Sequence, residues 1–235
     1  MLFFYVRHAD PIYVPDSLTP LGTRQAEALA KRFSVYGLDK IYSSPSQRAI
    51  DTAKPTCEIL KKDMEIVPFA DEGFAWKEFT LERDGKRCWL CQDEQIKMLF
   101  SDESVVSLGN MWYNHPQLTA YKKGIDRVYD DTFEFFKSLG YEHIRNTGKY
   151  KVIKSNKDRV ALFAHQGFGL AFLSVVLDIP YPIISNHFDM CHSSVTVINF
   201  EEENGYAVPK VLLLSSESHL YKEGLPTRYN NILDI

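Results

Sequence analysis

The chain has 235 residues, 45% hydrophobic and 25% charged, with a formal charge of -4 and a pI near 6.0, the composition of an ordinary globular protein long enough for one large α/β domain. The mildly negative balance provides no basic field, so nucleic acid is not an expected partner. No apolar run reaches bilayer length and residues 1 to 6 lack a secretory start, so the expectation is a cytoplasmic protein with no membrane partner. Four cysteines (Cys57, Cys88, Cys91 and Cys191) do not make a disulfide scaffold, in keeping with a reducing compartment.

The run Leu2-Phe3-Phe4-Tyr5-Val6 is too short for a buried helix and suits a strand covered on both faces. It ends on Arg7-His8. In an open α/β sheet ligands bind beyond the carboxyl ends of the strands, so this strand delivers a guanidinium and an imidazole together into that crevice. The pair suits a phosphoryl group: the guanidinium fork matches phosphate oxygens, and a neutral imidazole nitrogen is a nucleophile near neutral pH. Ala9 to Ser17, with Pro11 and Pro15 and no helical period, reads as a loop over the strand ends. Thr19 as N-cap and Pro20 in the first turn open an amphipathic helix with Leu21, Ala26, Leu29, Ala30 and Phe33 on one face, ending near Gly37.

Lys40 to Ser43 is a short strand. Ser44-Pro45-Ser46-Gln47 carries a helix-start pattern, Ser44 as N-cap, Pro45 at the first position and Gln47 completing a capping box. Arg48 then falls in the first turn, where free N–H groups and the positive end of the dipole favour an anion. Pro55 predicts a kink or stop before Cys57. Glu65 to Pro68 is a third strand. Beyond it Asp71, Glu72 and Glu78 stand among Phe69, Phe74 and Trp76, where a carboxyl of raised pKa would serve as general acid; a solvated loop acid is the plainer reading. From about 80 to 121 regular alternation is lost, and Trp89, Met98, Phe100, Met111, Trp112 and Tyr113 mix with charges. This segment reads as an insertion covering the site, its aromatics packing it onto the body or lining a pocket.

Asp126 to Leu139 has a helical period and stops at Gly140, and 141 to 157 is a polar excursion. Arg159 to Ala164 is the second buried strand, ending on His165, and Gln166-Gly167 leads into the apolar helix Phe168 to Leu177. A second imidazole at a strand end and helix start repeats the geometry expected of His8. Ser194 to Phe200 and Ala207 to Leu214, joined through Asn204-Gly205, read as an antiparallel hairpin at a sheet edge. The expected fold class is α/β: a three-layer sandwich with a mostly parallel central sheet, helices on both faces, an antiparallel edge hairpin and an inserted cap region, all within one domain over 1-235.

Phe4-Tyr5-Val6-Arg7-His8-Ala9, Leu18-Thr19-Pro20-Leu21-Gly22 with Gln25-Ala26, Tyr42-Ser43-Ser44-Pro45 with Arg48-Ala49 and Thr52-Ala53, and Ala164-His165-Gln166-Gly167 together span most of the chain. In that order they resemble the motifs of the histidine phosphatase superfamily, also called the phosphoglycerate mutase-like family. The resemblance implies a phosphomonoester hydrolase with His8 as the covalent nucleophile, Arg7, Arg48 and His165 binding the phosphoryl group, and an acid after the third strand protonating the leaving oxygen. Glu72 matches that position best, then Glu78, then Asp71. There are two departures. Ala9 stands where the family usually has Gly, costing roughly 1 kcal/mol if that backbone position needs positive φ. Gln166 stands where the late motif usually has Gly, and its amide either donates to the phosphate or faces away.

Elementary chemistry agrees with this. Phosphoryl transfer is mostly positioning and charge stabilisation, which two Arg and a second His supply without a metal, so no metal or cofactor is expected and the partner is a small-molecule phosphomonoester. A phosphoglycerate-mutase-type transferase and a catalytically silent phosphate-binding protein are the competing readings. A mutase would need a closed, basic pocket for a second phosphate, and silence is hard to reconcile with Arg7, His8, Arg48 and His165 all being present. The Cys88-Trp89-Leu90-Cys91 spacing is half a zinc site or a redox pair, but no second ligand pair accompanies it, and two packed thiols are expected. His192, just before the hairpin, either reaches the pocket edge or is an ordinary structural histidine.

Overall fold

The computed structural model describes residues 1–230. It opens on β1 (Leu2–Arg7), buried from Phe3 onward. Where two prolines predict a loop, the chain forms a small hairpin, β2 (Pro11–Tyr13) and β3 (Asp16–Leu18). Pro11 is the first residue of its strand and Pro15 lies in the turn, positions where a missing N–H costs no ladder bond. Next, α1 (Pro20–Tyr36) starts and stops as its pattern predicts, with Thr19 Oγ1 accepting the Gly22 N–H at 3.0 Å and Gly37 at φ 71°.

After β4 (Lys40–Ser43) comes α2 (Gln47–Leu60), and here two expectations fail. The N-cap is Ser46, without a side-chain cap bond, while the Ser44 hydroxyl lies 2.7 Å from His165 Nε2 and accepts the Ser46 N–H at 3.3 Å. Pro55 lies inside the helix without ending it; burial of Ala53, Thr56 and Cys57 against the body offsets the lost backbone bond. Beyond β5 (Glu65–Ile66), a 3-10 turn leads directly into α3 (Glu72–Glu78), so the candidate acids lie on or at the start of a helix, not on a solvated loop.

The segment 80–121 has regular pieces: the hairpin β6 (Thr80–Arg83) and β7 (Lys86–Trp89), then α4 (Glu94–Phe100) and α5 (Glu103–Val106), capped by Asp93 and Asp102. Trp112 anchors it to the body, buried among Phe100, Tyr113 and Tyr181. Then α6 (Lys122–Ser138) begins at Lys122, ahead of the expected Asp126. The expected polar excursion is a hairpin, β8 (Tyr141–Ile144) and β9 (Lys149–Val152), whose inward Tyr141, His143 and Tyr150 alternate with polar or charged residues.

The remaining elements among the described residues are β10 (Arg159–Ala164), α7 (Gln166–Leu177), α8 (Tyr181–His187), β11 (Val195–Asn199), β12 (Glu202–Glu203), β13 (Tyr206–Ala207), β14 (Lys210–Ser216) and α9 (Ser218–Lys222). The central sheet runs β14-β11-β1-β10-β4-β5, with β1, β10, β4 and β5 parallel and β11 and β14 the expected antiparallel edge pair. The tip of that pair leaves the central sheet: Asn204 and Gly205, both at positive φ, turn β12 into β13, which pairs with β9.

Alternation along β1 divides the core into layers. Phe4 and Val6 pack with Leu29, Phe33 and Phe163, while Phe3 and Tyr5 pack with Phe136, Leu162 and Phe172 on the opposite face. Each such side chain contributes roughly 1.5–3 kcal/mol of hydrophobic stabilisation. Gly169 lets α7 approach β1, since a Cβ there would stand 2.6 Å from the Tyr5 hydroxyl. Among the described residues, no helix is long and apolar enough to cross a membrane.

Candidate active site

Strand register assembles the site. Arg7 is aligned with Ala164, so His8 and His165 emerge side by side, and Ser43 is aligned with Phe163, which brings Ser44 next to them. The His8 and His165 ring centroids are 5.2 Å apart. His8 Nδ1 lies 2.8 Å from the Ala9 carbonyl. A carbonyl only accepts, so Nδ1 carries the proton and the lone pair is on Nε2, which has no hydrogen-bond partner among the described residues. Burial, then the neighbouring His165 and Arg7, hold the His8 pKa well below 6.5, so the imidazole is neutral at pH 7. Ala9 carries no strain: its φ is not positive, and its N–H donates to Thr52 Oγ1 at 2.9 Å.

Arg7 is fully buried and donates to the Met190 carbonyl and to Asn230 Oδ1. Arg48 sits in the first turn of α2, as expected. One of its amino groups donates to Asp16 Oδ1 at 2.9 Å and the other to His165 Nδ1 at 3.2 Å. The Nε of each guanidinium is buried without a partner among the described residues. With Nδ1 accepting from Arg48, His165 holds its proton on Nε2 and donates it to Ser44 Oγ at 2.7 Å. Its carbonyl accepts the Tyr5 hydroxyl at 2.6 Å, and burial next to Arg48 and Arg7 keeps the ring neutral.

The three candidate acids separate cleanly. Glu78 is clamped by Arg127 of α6 at 2.7–3.0 Å. Asp71 caps α3, accepting the Gly73 N–H at 2.8 Å. Glu72 reaches the amino end of α7, where its two oxygens accept from Gly167 N (3.0 Å) and Phe168 N (2.9 Å). Burial raises its pKa, opposed by those two bonds and by Arg48 and Arg7. A cavity of about 520 Å³ is lined by Arg7, His8, Arg48 and Glu72 together with Trp76 and Trp89.

Gln166 lines this cavity, but its amide is taken by protein: Nε2 donates to Asp189 and Oε1 accepts from Asn230 Nδ2 at 3.1 Å. Two site residues were not assigned from the sequence. His192 stacks on His8, centroids 5.7 Å apart and planes 29° apart, with Nε2 3.1 Å from Asn230 Oδ1 and Nδ1 3.2 Å from Asp10 Oδ1. Burial and the Arg7 charge lower its pKa to about 4. Its place before β11 is the only signal in the sequence, and it favours a structural role over a place at the pocket edge. Asn230, which joins Arg7, His192 and Gln166, has no local signature at all.

The profile of the histidine phosphatase superfamily (branch 1) matches residues 7–82, the stretch that supplies Arg7, His8, Arg48 and Glu72. Over that stretch the chain is similar to the histidine phosphatase superfamily. A Hydrogenobacter thermophilus protein provisionally named phosphoserine phosphatase 2 is 35% identical over 95 residues, 37% of this chain and 44% of that relative's length. In fold, the chain is similar to phosphoserine phosphatase from Entamoeba histolytica in complex with 3-phosphoglyceric acid (TM-score 0.61, 15% identity, 93% of this chain and 98% of that one). It is similar as well to mycobacterial glucosyl-3-phosphoglycerate phosphatase (TM-score 0.58, 18% identity, 92% and 98%). The Cys88–Cys91 spacing has no catalytic counterpart here. Both cysteines are free, burial pushes the Cys91 thiol up to about 11, and no group of three His, Cys, Asp or Glu among the described residues is placed to hold a metal ion.

Proposed function

We propose that this chain is a histidine phosphatase that hydrolyses phosphomonoesters through a covalent phosphohistidine on His8. The observation that carries the reading is the His8 tautomer: Nδ1–H is committed to the Ala9 carbonyl, which leaves a neutral Nε2 lone pair in a cavity shared with two guanidinium groups. In the first step Nε2 attacks phosphorus and the P–O bond to the leaving group breaks, while protonated Glu72 gives its proton to the departing oxygen. In the second, Glu72 takes a proton from water as its oxygen attacks phosphorus, the P–N bond breaks, and inorganic phosphate and neutral His8 are released. Arg7 and Arg48 balance the charge on the phosphoryl oxygens, and their unpartnered Nε–H groups are donors an oxyanion would satisfy. His165 acts on the phosphoryl group through Arg48, which it orients. Gln166 supports the site through Asn230 and Asp189. No metal is needed for charge neutralisation in this scheme.

Against a mutase, the only Arg or Lys residues lining the cavity among the described residues are Arg7 and Arg48, both committed to the transferred group in this scheme, which leaves none for a second phosphate. We read residues 1–235 as one domain acting on a small-molecule phosphomonoester in the cytoplasm, with 80–121 covering the site. The test is turnover of para-nitrophenyl phosphate by the wild type and His8→Ala. Release of para-nitrophenol that vanishes in the variant supports the reading, and equal turnover by both overturns it.

A further inference from the structure

We propose that Trp76 and Trp89 form a platform for the leaving group, so that the preferred substrates are phosphomonoesters whose leaving group has a planar apolar face and no anionic group. This deepens, and rests on, the phosphatase reading above.

The first observation is aromatic. Trp76 on α3 and Trp89 at the end of β7 both line the catalytic cavity, their rings 5.0 Å apart and crossed at 79°. Trp76 is 37% exposed, an indole of α3 left partly uncovered beside Glu72. An aromatic ligand face would complete the burial that the folded chain leaves unfinished. Trp89 is fixed in place by close approach to α7. A Cβ on Gly167 would fall 2.2 Å from its Cη2 and 2.6 Å from both Cζ2 and Cζ3, so the six-membered ring occupies the space that any side chain at 167 would fill. Because Glu72 bonds to the N–H of that same Gly167, the indole lies beside the proposed proton donor, where the leaving oxygen departs.

The second observation is charge. Beyond Arg7 and Arg48, the charged residues on the cavity wall are Asp71 and Glu72. A leaving group carrying its own carboxylate would find no Lys or Arg there and would face Asp71. Lys97 lines an adjoining cavity of about 200 Å³ that also contains Asp189 and shares Trp89 with the first. A carboxylated leaving group would have to extend past the shared wall of Trp89, Gln166 and Asn230 to reach it.

The test is calorimetric binding of two phosphonates that cannot turn over, benzylphosphonate and 3-phosphonopropionate, to the wild type, Trp76→Leu and Trp89→Leu. The platform predicts that benzylphosphonate binds about tenfold tighter to the wild type, and that each substitution shrinks the ratio toward one. Equal or tighter binding of 3-phosphonopropionate, or a ratio unchanged in Trp76→Leu, overturns it. Trp76 is partly exposed, so its variant reports even if Trp89→Leu fails to fold. Turnover of benzyl phosphate and ethyl phosphate, both with alkyl leaving oxygens, is measured alongside. Turnover without the binding preference removes the platform alone. The binding preference without turnover of any ester removes the hydrolase reading and leaves the platform standing.

Discussion

The Glu72 carboxylate accepts the main-chain N–H of Phe168 at 2.9 Å, tying α3 to the amino end of α7 across a separation of 96 residues. Burial favours the protonated acid, while the α7 N–H groups and two guanidinium groups favour the anion; the balance lies above the ordinary glutamate value. A group so poised can give a proton in one half-reaction and take it back in the next.

Glu72→Gln therefore slows hydrolysis of alkyl phosphates by a factor on the order of 10² to 10⁴, and that of an activated aryl phosphate much less. The measurement is kcat/KM for ethyl phosphate and para-nitrophenyl phosphate in both proteins. An equal, small effect on both substrates would move the acid elsewhere, and Glu78→Gln, whose target is held by Arg127, is expected to leave the asymmetry intact.

His8→Ala abolishes turnover, by about 10³-fold or more, with an unchanged thermal unfolding curve or a modest shift. Rapid-quench mass spectrometry of the wild type should find an acid-labile phosphate on His8. Reproducible label on another residue would contradict the assignment.

Chelation should leave the rate unchanged, because in the proposed mechanism Arg7 and Arg48, which line the cavity, supply the positive charge at the phosphoryl group. Activity lost with EDTA and restored by zinc or magnesium would show that a metal completes the site.

Gly167→Ala forces the Trp89 indole away from α7, since the new Cβ would lie 2.2 Å from the ring. Overpacking of this kind costs typically 1–3 kcal/mol, readable as a lower urea midpoint. Trp89→Leu in the same background should recover part of the loss; no recovery would place the strain elsewhere.

Acid should destabilise the fold through its buried neutral histidines. Burial lowers His192 to about 4 and His219, which also faces Arg32, to about 3, both below the unfolded value of 6.5. The unfolded chain therefore binds protons that the folded one excludes. The stabilisation is complete above pH 6.5 and is lost as pH falls toward 4 and 3. Between pH 6.5 and 4.5 each histidine accounts for on the order of 2–3 kcal/mol. Urea unfolding across this range should show that slope, and His219→Gln should flatten it by about one proton; an identical slope in the variant would refute its role.

The sequence by itself determined the parts whose causes are local. Apolar runs marked β1 and β10, Thr19 with Pro20 and Gly37 bounded α1, and the strand ends presented Arg7, His8 and His165, because side-chain period and capping act over a few residues. Local polarity misled where inward and outward residues alternated in short hairpins, as at Tyr141–Val152, and where Pro55 was carried by burial. Only the tertiary structure separates the surroundings of the candidate acids, since Glu78 is held by Arg127, 49 residues away, and Glu72 accepts from the N–H groups of α7. It likewise turned Gln166 toward Asp189 and brought His192 and Asn230 to His8 and Arg7. These choices depend on hydrogen bonds and ring contacts between residues 23 to 223 apart in the chain, which no local period encodes because they arise only when β1 and β10 are in register and α7 has docked.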